Sequence, residues 1–486
     1  MRGITVVGLG PGDPRHLTRE AWGILSTADE IWLRTNQHPT IQDLPERIVL
    51  HSFDYLYQQA DEFPLVYESI TDEVLALGRR PEGVIYAVPG HPLVGESTVQ
   101  HLLVRAQDQD ITIRIVEGLS FIAPTLTALG VDALTGLQIC DALELACCYH
   151  PPLNPDVPGL IGQVYSRSLA ADVKLTLMNQ YSEGHRVVLV NAASTESQVI
   201  RELPLYEIDR SDEIAHLTTL FVPALPPVSS FEGFQDTVAH LRAPDGCPWD
   251  RQQTHESLTS SLLEEAYETI TAIESGVTAD LCEELGDLLL QVVLHAQIAV
   301  EDGEFSMAQV IAGIDAKLKH RHPHVWGAKA IASTDEVLKR WEELKREERE
   351  PDRSTLDGVP SALPALQQAN TYGERAARVG FDWPNTDGVV AKIHEEIAEL
   401  QAAQTAAERL NELGDLLFAV VNWARWLDID PESALRRANA RFRQRFHYME
   451  KSVLERCESL SDKDIDQLET LWQEAKQAEK PTDSAQ

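Results

Sequence analysis

EEAYE at 264–268 followed by ELGD at 284–287, and EEIAE at 395–399 followed by ELGD at 412–415, are one acidic pattern written twice. Each copy reads as two helical segments with carboxylates one turn apart. Positions i, i+3 and i+4 share a helix face. Glu264, Glu265 and Glu268 therefore project together in the first copy, and Glu284 and Asp287 do so from the next segment. Glu395, Glu396 and Glu399, with Glu412 and Asp415, repeat the arrangement. Four or five facing carboxylates repel unless a hard cation sits among them, and all-oxygen ligand sets suit Mg²⁺ or Mn²⁺. Glutamates at helical spacing also form ordinary solvated faces, and an acid in a first turn suits the helix dipole. The continuation separates these readings. ELGDLLLQVVLHAQIA at 284–299 and ELGDLLFAVVNWARWL at 412–427 put the acids at the head of strongly apolar helices, whose first turns border a core. Recurrence of the whole two-helix pattern favours metal binding.

Outward from these segments, helical periodicity dominates from about residue 235. A breaker-rich stretch, EPDRSTLDGVPSALPAL at 350–366, divides the region into two units, 235–349 and 367–478. CPWD at 247–250 and FDWP at 381–384 open them similarly, so the units read as diverged copies. Residues 479–486 form a polar tail expected to fray. Residues 1–223 differ. Short apolar runs (ITVVGLG, GVIYAVPG, ITIRIVEG, RVVLVNAAS, TTLFVPAL) alternate with helix-like stretches. That pattern predicts an α/β domain, mostly parallel, in two lobes. A proline-rich linker at 224–234 follows. The fold class is thus multidomain: an α/β domain followed by two all-α units.

Composition narrows the function. At 486 residues the chain holds about three domains of usual size. A net charge of −36 argues against nonspecific binding to nucleic acid or an anionic membrane, which require basic patches. Six cysteines without paired ligand spacing point to a reducing, cytoplasmic setting. No apolar run approaches a membrane span, and MRGITVVGLGPGD lacks a secretory layout.

Basic runs follow each acidic pair: Lys317, Lys319, His320, Arg321, His322 and His324, then Arg436, Arg437, Arg441, Arg443 and Arg445. Arginine forks match phosphate oxygens, and Arg441 and Arg445 share a face at i, i+4. Salt-bridged surface faces are the alternative. HRHPH at 320–324 reads as a turn or substrate-contact element, since a proline interrupts its histidine spacing. Trp249, Trp326, Trp383 and Trp472 could stack on a base, or simply fill cores.

GCPWDRQQTH, LEEAYETI, ELGDLLLQVVLHAQIA, KLKHRHPHVW, HEEIAEL, ELGDLLFAVVNWARWL and LETLWQEAK, across residues 231–477, resemble MazG nucleoside triphosphate pyrophosphohydrolases. The resemblance implies an all-α fold that bundles across a homodimer interface. It implies hydrolysis of nucleoside triphosphates to monophosphate and pyrophosphate. Glu265, Glu268, Glu284 and Asp287 would be Mg²⁺ ligands in the first unit, and Glu396, Glu399, Glu412 and Asp415 in the second. Glu264 and Glu395 would support the ligands or activate water, and Arg441 and Arg445 would contact phosphate. Turnover is expected in the second unit, which has the fuller set of arginines. A noncatalytic helical dimerisation scaffold is the alternative.

VVGLGPGDPRHLT at 6–18 is a strand running into a glycine-rich turn, which alone could cradle phosphate, approach an adenosine cofactor or just turn tightly. With YAVPGHPLVGES at 86–97 and VEGLSFIAPTLTALG at 116–130, it resembles the tetrapyrrole methylase family. That implies two α/β lobes with S-adenosylmethionine between them, lined by Gly10, Pro11, Gly90, His91, Leu119 and Ser120. Gly90-His91-Pro92 replaces the family's usual Gly-Asp-Pro, and EGLS at 117–120 replaces Pro-Gly-Ile-Ser. The domain order resembles the bacterial YabN-type fusion. A bifunctional protein with an active methyltransferase is therefore a second reading.

Overall fold

The computed structural model describes residues 3–57, 63–327, 354–456 and 458–478, with Ser333, Glu336, Val337, Arg340 and Leu344 singly between them. The expected tail at 479–486 and the start of the 350–366 linker lie outside these residues. Contacts group the chain into two compact units, 1–313 and 314–486.

Unit 1 begins with a wholly parallel sheet. Its elements are β1 (Ile4–Gly8), α1 (Arg19–Thr27), β2 (Glu30–Leu33), β3 (Val49–Ser52), α2 (Asp54–Tyr57), α3 (Phe63–Gly78), β4 (Val84–Val88), α4 (Ser97–Asp108) and β5 (Ile113–Val116). Strand order is β3-β2-β4-β1-β5. Every residue of β1 is buried, as continuous apolar runs are when helices cover both faces of a parallel sheet. α5 (Ile122–Leu129) leads into the second lobe: β6 (Gln138–Asp141), α6 (Ala142–Ala146), β7 (Gly159–Gly162), α7 (Arg167–Leu177), β8 (Arg186–Asn191), β9 (Val199–Pro204) and β10 (Thr218–Val222). This sheet is ordered β6-β7-β10-β8-β9. The domain is mostly parallel, and its antiparallel pairs all lie in this second sheet. Only β6 and β7 run parallel, while β7–β10, β10–β8 and β8–β9 are antiparallel. β8 and β9 are joined by a short loop without a crossover helix, and such a connection pairs strands antiparallel.

The helical part of unit 1 comprises α8 (Phe231–Arg242), α9 (Thr259–Ser275), α10 (Thr278–Asp302) and the start of α11 (Met307–Arg321). Ser230 caps α8 and bonds Asp156 of the second lobe, whose carboxylate also accepts from the Ser229 amide at 2.7 Å. Gly276 (φ +71°) and Gly303 (φ +75°) end α9 and α10 in the left-handed conformation that glycine adopts without strain. Val238, Leu258, Val293, Leu294, Ile298 and Met307 form the core.

Unit 2 holds the rest of α11, α12 (Pro323–Trp326), α13 (Ala365–Arg378), α14 (Thr386–Ala402), α15 (Ala406–Trp426), α16 (Pro431–Glu455) and α17 (Ile465–Ala478). Met449, Val453 and Leu471 pack where α16 meets α17. Among the described residues no helix is long and apolar enough to cross a membrane.

Candidate functional site

The first acidic pattern folds as α9 and α10, with Gly276 and Val277 between them. Thr269 ties the pair together beneath the acids: its hydroxyl donates to the Glu265 carbonyl at 2.8 Å and the Glu284 carbonyl at 3.4 Å. Carboxylate oxygens of Glu265, Glu268 and Glu284 lie within 4.8 Å of one another. Burial, then the charges of Asp287, Glu268, Glu264 and Glu284, pushes Glu265 above the usual carboxylate range. Burial, then Glu268 and Asp287, does the same to Glu284. Like charges this close disfavour ionisation of one another. Glu264 is exposed and stands outside the tightest three. Asp287 also stands outside them, yet its charge reaches Glu265.

The second pattern folds as α14 and α15. Glu396, Glu399 and Glu412 bring oxygens within 4.8 Å. Glu396 is 4% exposed, and its Oε2 is buried with no hydrogen-bond partner among the described residues. Its Oε1 takes the Lys392 ammonium at 2.7 Å, and Lys392 also reaches Glu395 Oε1 at 3.0 Å. Burial, then Glu399, Glu396 and Asp415, pushes Glu412 upward, while Lys392 opposes the shift. The position corresponding to Lys392 in the first copy, four residues before the inner glutamate, is Ser261. A carboxylate with a buried oxygen lacking a donor, clustered with two more carboxylates, is a donor set that fits Mg²⁺ or Mn²⁺.

The expected phosphate-contacting arginines are placed differently from each other. Arg445 lies with its guanidinium 5.5 Å from the Trp472 ring centre, and Phe442 packs on the same ring at 5.2 Å. Trp472 is thus engaged in packing between α16 and α17. Arg441 is exposed. In the other basic run, Lys319 pairs with Asp315 at 2.9 Å, and His322 bonds the Leu318 carbonyl at 2.8 Å as the helix turns into Pro323. This is the turn that the interrupted spacing implied. Trp249, Trp326 and Trp383 are 63%, 58% and 44% exposed, so none is simple core filling.

A cleft of about 520 Å³ opens among the two α/β lobes. Three glycines let its walls meet. A Cβ on Gly8 would fall 2.6 Å from the Gly90 carbonyl oxygen, and one on Gly118 would fall 2.2 Å from it. The loops after β1 and β4 exchange hydrogen bonds, Gly90 to Gly10 at 2.8 Å and Gly10 to Gly90 at 3.2 Å. Gly10, Pro11, Gly90 and His91 line the cleft as expected. Leu119 and Ser120 do not; the next residue, Phe121, lines it instead. Open parallel sheets place ligands outside the carboxyl ends of their strands.

Spacing did not identify several residues in this cleft. Arg34 reaches Glu96 at 2.9 Å, with side chains 18% and 4% exposed, and lies over the rings of Tyr57 and Tyr67. Burial alone would lower Arg34, but Glu96 together with Tyr57, Tyr86 and Tyr67 outweighs it and holds the guanidinium above its ordinary value. Glu96 also accepts from the Thr98 hydroxyl at 2.6 Å, which sits 2.8 Å from the Tyr86 hydroxyl. His38 is buried in the wall, and burial draws it down to about 4. In the helical part, His255 and His295 stack nearly parallel with their Nδ1 atoms 2.8 Å apart. Forty residues separate them, so no local pattern marks the pair.

The MazG nucleotide pyrophosphohydrolase domain matches residues 253–326, and the tetrapyrrole (corrin/porphyrin) methylase domain matches residues 3–209. The uncharacterized protein YabN of Bacillus subtilis is 40% identical over 487 residues, covering 98% of this chain and 99% of YabN. The nucleoside triphosphate pyrophosphohydrolase/pyrophosphatase MazG of Thermotoga maritima is 44% identical over 247 residues, 51% of this chain and 95% of that protein. A crystal structure of uroporphyrin-III C-methyltransferase from Thermus thermophilus overlaps 46% of this chain and 92% of its own, at 20% identity and a TM-score of 0.36. With both acidic patterns intact behind a two-lobed α/β domain, the chain belongs to the MazG nucleotide pyrophosphohydrolase family, in the form that carries a tetrapyrrole methylase domain ahead of the helical units.

Proposed function

We propose that the chain hydrolyses nucleoside triphosphates to nucleoside monophosphate and pyrophosphate, clearing unwanted triphosphates from the nucleotide pool. The observation that carries this reading is Glu396, a carboxylate with one buried, donorless oxygen that clusters with those of Glu399 and Glu412. Glu396, Glu399, Glu412 and Asp415 would hold Mg²⁺ or Mn²⁺ in the second nest, and Glu265, Glu268, Glu284 and Asp287 in the first. The bound ion supplies neutralisation of phosphate charge and a lower pKa for coordinated water. Glu264 and Glu395, at the edges of the nests, accept a proton from the attacking water. Attack at the α-phosphorus breaks its bond to the bridging oxygen and releases pyrophosphate. Arg441 and Arg445 supply positive charge to the phosphates, with turnover assigned to the second nest. Positioning and charge carry most of such a reaction.

A homodimer through the helical units fits the apolar stripe left open on α15. Leu410, Leu413, Leu417 and Val420 recur at i, i+3, i+7 and i+10, each 42–72% exposed. The cytoplasm, where nucleoside triphosphates are made and used, is the compartment this activity suits. The decisive experiment is a nucleotide panel with Mg²⁺ and product identification. Monophosphate with pyrophosphate supports the reading; stepwise phosphate release, or no release from any nucleotide, refutes it.

A second activity is supported by the glycine-collared cleft: binding of S-adenosylmethionine, with methyl transfer to an acceptor. Calorimetry with S-adenosylmethionine tests it, and absence of heat at millimolar ligand would remove it.

A further inference from the structure

The two nests differ in one side chain whose consequence goes beyond hydrolysis itself. Lys392 stands one turn before Glu396 on α14 and places its ammonium 2.7 Å from the Glu396 carboxylate and 3.0 Å from Glu395. Its side chain is 38% exposed, so it can swing outward into water without breaking a packed core. The first nest has Ser261 at that point on α9. Among the described residues no ion pair forms to Glu265, Glu268 or Glu284, and two of those acids are pushed up by burial and by one another. The first nest therefore carries uncompensated negative charge, whereas the second carries an internal cation.

We propose that Lys392 is a built-in competitor for the divalent cation of the second nest, so that the first nest fills at lower metal concentration than the second. The inference rests on the metal-dependent reading above and deepens it. A divalent ion meeting the free Glu396 Oε2 is repelled by the ammonium held on Oε1 of the same carboxylate, and Glu396 can offer the ion both oxygens only once that ammonium leaves. Coulomb attraction between a unit charge and a carboxylate at this distance is large enough, even when well screened, to change cation affinity by a factor of about ten or more. The swing of Lys392 then frees a positive group beside the nest at the moment the metal arrives. One chain would hold two sites with separate metal thresholds, graded by the free divalent ion concentration.

The test is Mn²⁺ binding by the full chain, read as free Mn²⁺ by electron paramagnetic resonance, with no nucleotide and no turnover. Glu396→Gln with Glu412→Gln leaves only the first nest, and Glu265→Gln with Glu284→Gln leaves only the second. The first nest should bind about tenfold more tightly than the second. Lys392→Met in the chain retaining only the second nest should close most of that gap. Ser261→Lys in the chain retaining only the first should open an equal one. Lys392→Met leaves Glu396 buried without its partner, so circular dichroism must confirm folding; if it does not fold, Ser261→Lys alone decides. A folded Lys392→Met protein whose Mn²⁺ affinity stays within twofold of its parent overturns the role of Lys392. A chain that binds Mn²⁺ at neither nest overturns the metal reading itself, and the two failures are thereby distinct.

Discussion

The two acidic nests share one helix-pair architecture and differ in how they balance charge. In the first, Glu265, Glu268 and Glu284 face one another with no cation among the described residues, and burial, then repulsion, raises two of them. In the second, Lys392 compensates part of the charge and Glu396 is buried. The helices are also started differently. Thr405 and Glu408 form a full capping box at the head of α15, whereas Val277 heads α10 with no side-chain cap. The two nests thus share a carboxylate cluster while their surroundings differ. Equal carboxylate spacing does not make equal sites, because a buried acid is governed by whatever lies within a few ångströms of it.

The largest expected effect breaks the comparison outright. Glu396→Gln with Asp415→Asn removes two ligands from the second nest and should lower pyrophosphate release at least about a hundredfold, since even outer partners of metal ligands matter tenfold to a hundredfold. The same pair of changes in the first nest, Glu265→Gln with Asp287→Asn, should do less. The reverse ranking in steady-state assays would move turnover to the first nest.

Next comes a comparison of buried acids. Glu96 in the cleft leans on Arg34 as Glu396 leans on Lys392, but Arg34 is far more enclosed. Arg34→Met should destabilise the α/β part by about 3 kcal/mol, the usual consequence of stranding a buried charge. Urea unfolding followed by tryptophan fluorescence checks this, and a change below about 1 kcal/mol would show that Glu96 finds another partner.

A smaller effect is the pH response of the metal-free chain. Glu265 and Glu284 have folded-state values raised above those of the unfolded chain. Protons therefore bind the folded form more tightly, so their stabilising contribution is present at low pH and is lost as pH rises through the raised values. Melting temperature with chelator present should fall as pH rises beyond the ordinary carboxylate range and through the raised values, and Mn²⁺ should restore it. A flat profile across that window would mean that the repulsion is relieved by unseen counterions.

The smallest effect concerns the caps. Thr405→Ala should destabilise unit 2 by about 1 kcal/mol, and Val277→Ser should stabilise unit 1 by somewhat less. Both are measurable as shifts in thermal unfolding, and equal responses would erase the difference between the helix starts.

Much of this protein is visible along the chain. Carboxylates at i, i+3 and i+4 on apolar helices identified both nests, because helical periodicity alone decides which residues share a face. Lys392 obeys the same rule, as the lysine four residues before Glu396 in KIHEE, but spacing alone does not show that it pairs with that glutamate. Gly10 and Gly90 were legible as turn glycines, whereas Phe121, which lines the cleft, carried no signal in the sequence. The antiparallel pairs of the second lobe were not legible, because an apolar run does not state the direction of its neighbour.

Local sequence therefore determined the α/β-then-helical order, the duplicated acids and the tight glycine turns, all of which depend on interactions within a few residues. Tertiary structure decided what no local spacing encodes: the Arg34–Glu96 pair across 62 residues, the His255–His295 stack across 40, and the burial of Glu396. The physical reason is that charge and burial act through space. Whether a carboxylate meets water, an ammonium or another carboxylate is settled only when distant segments pack.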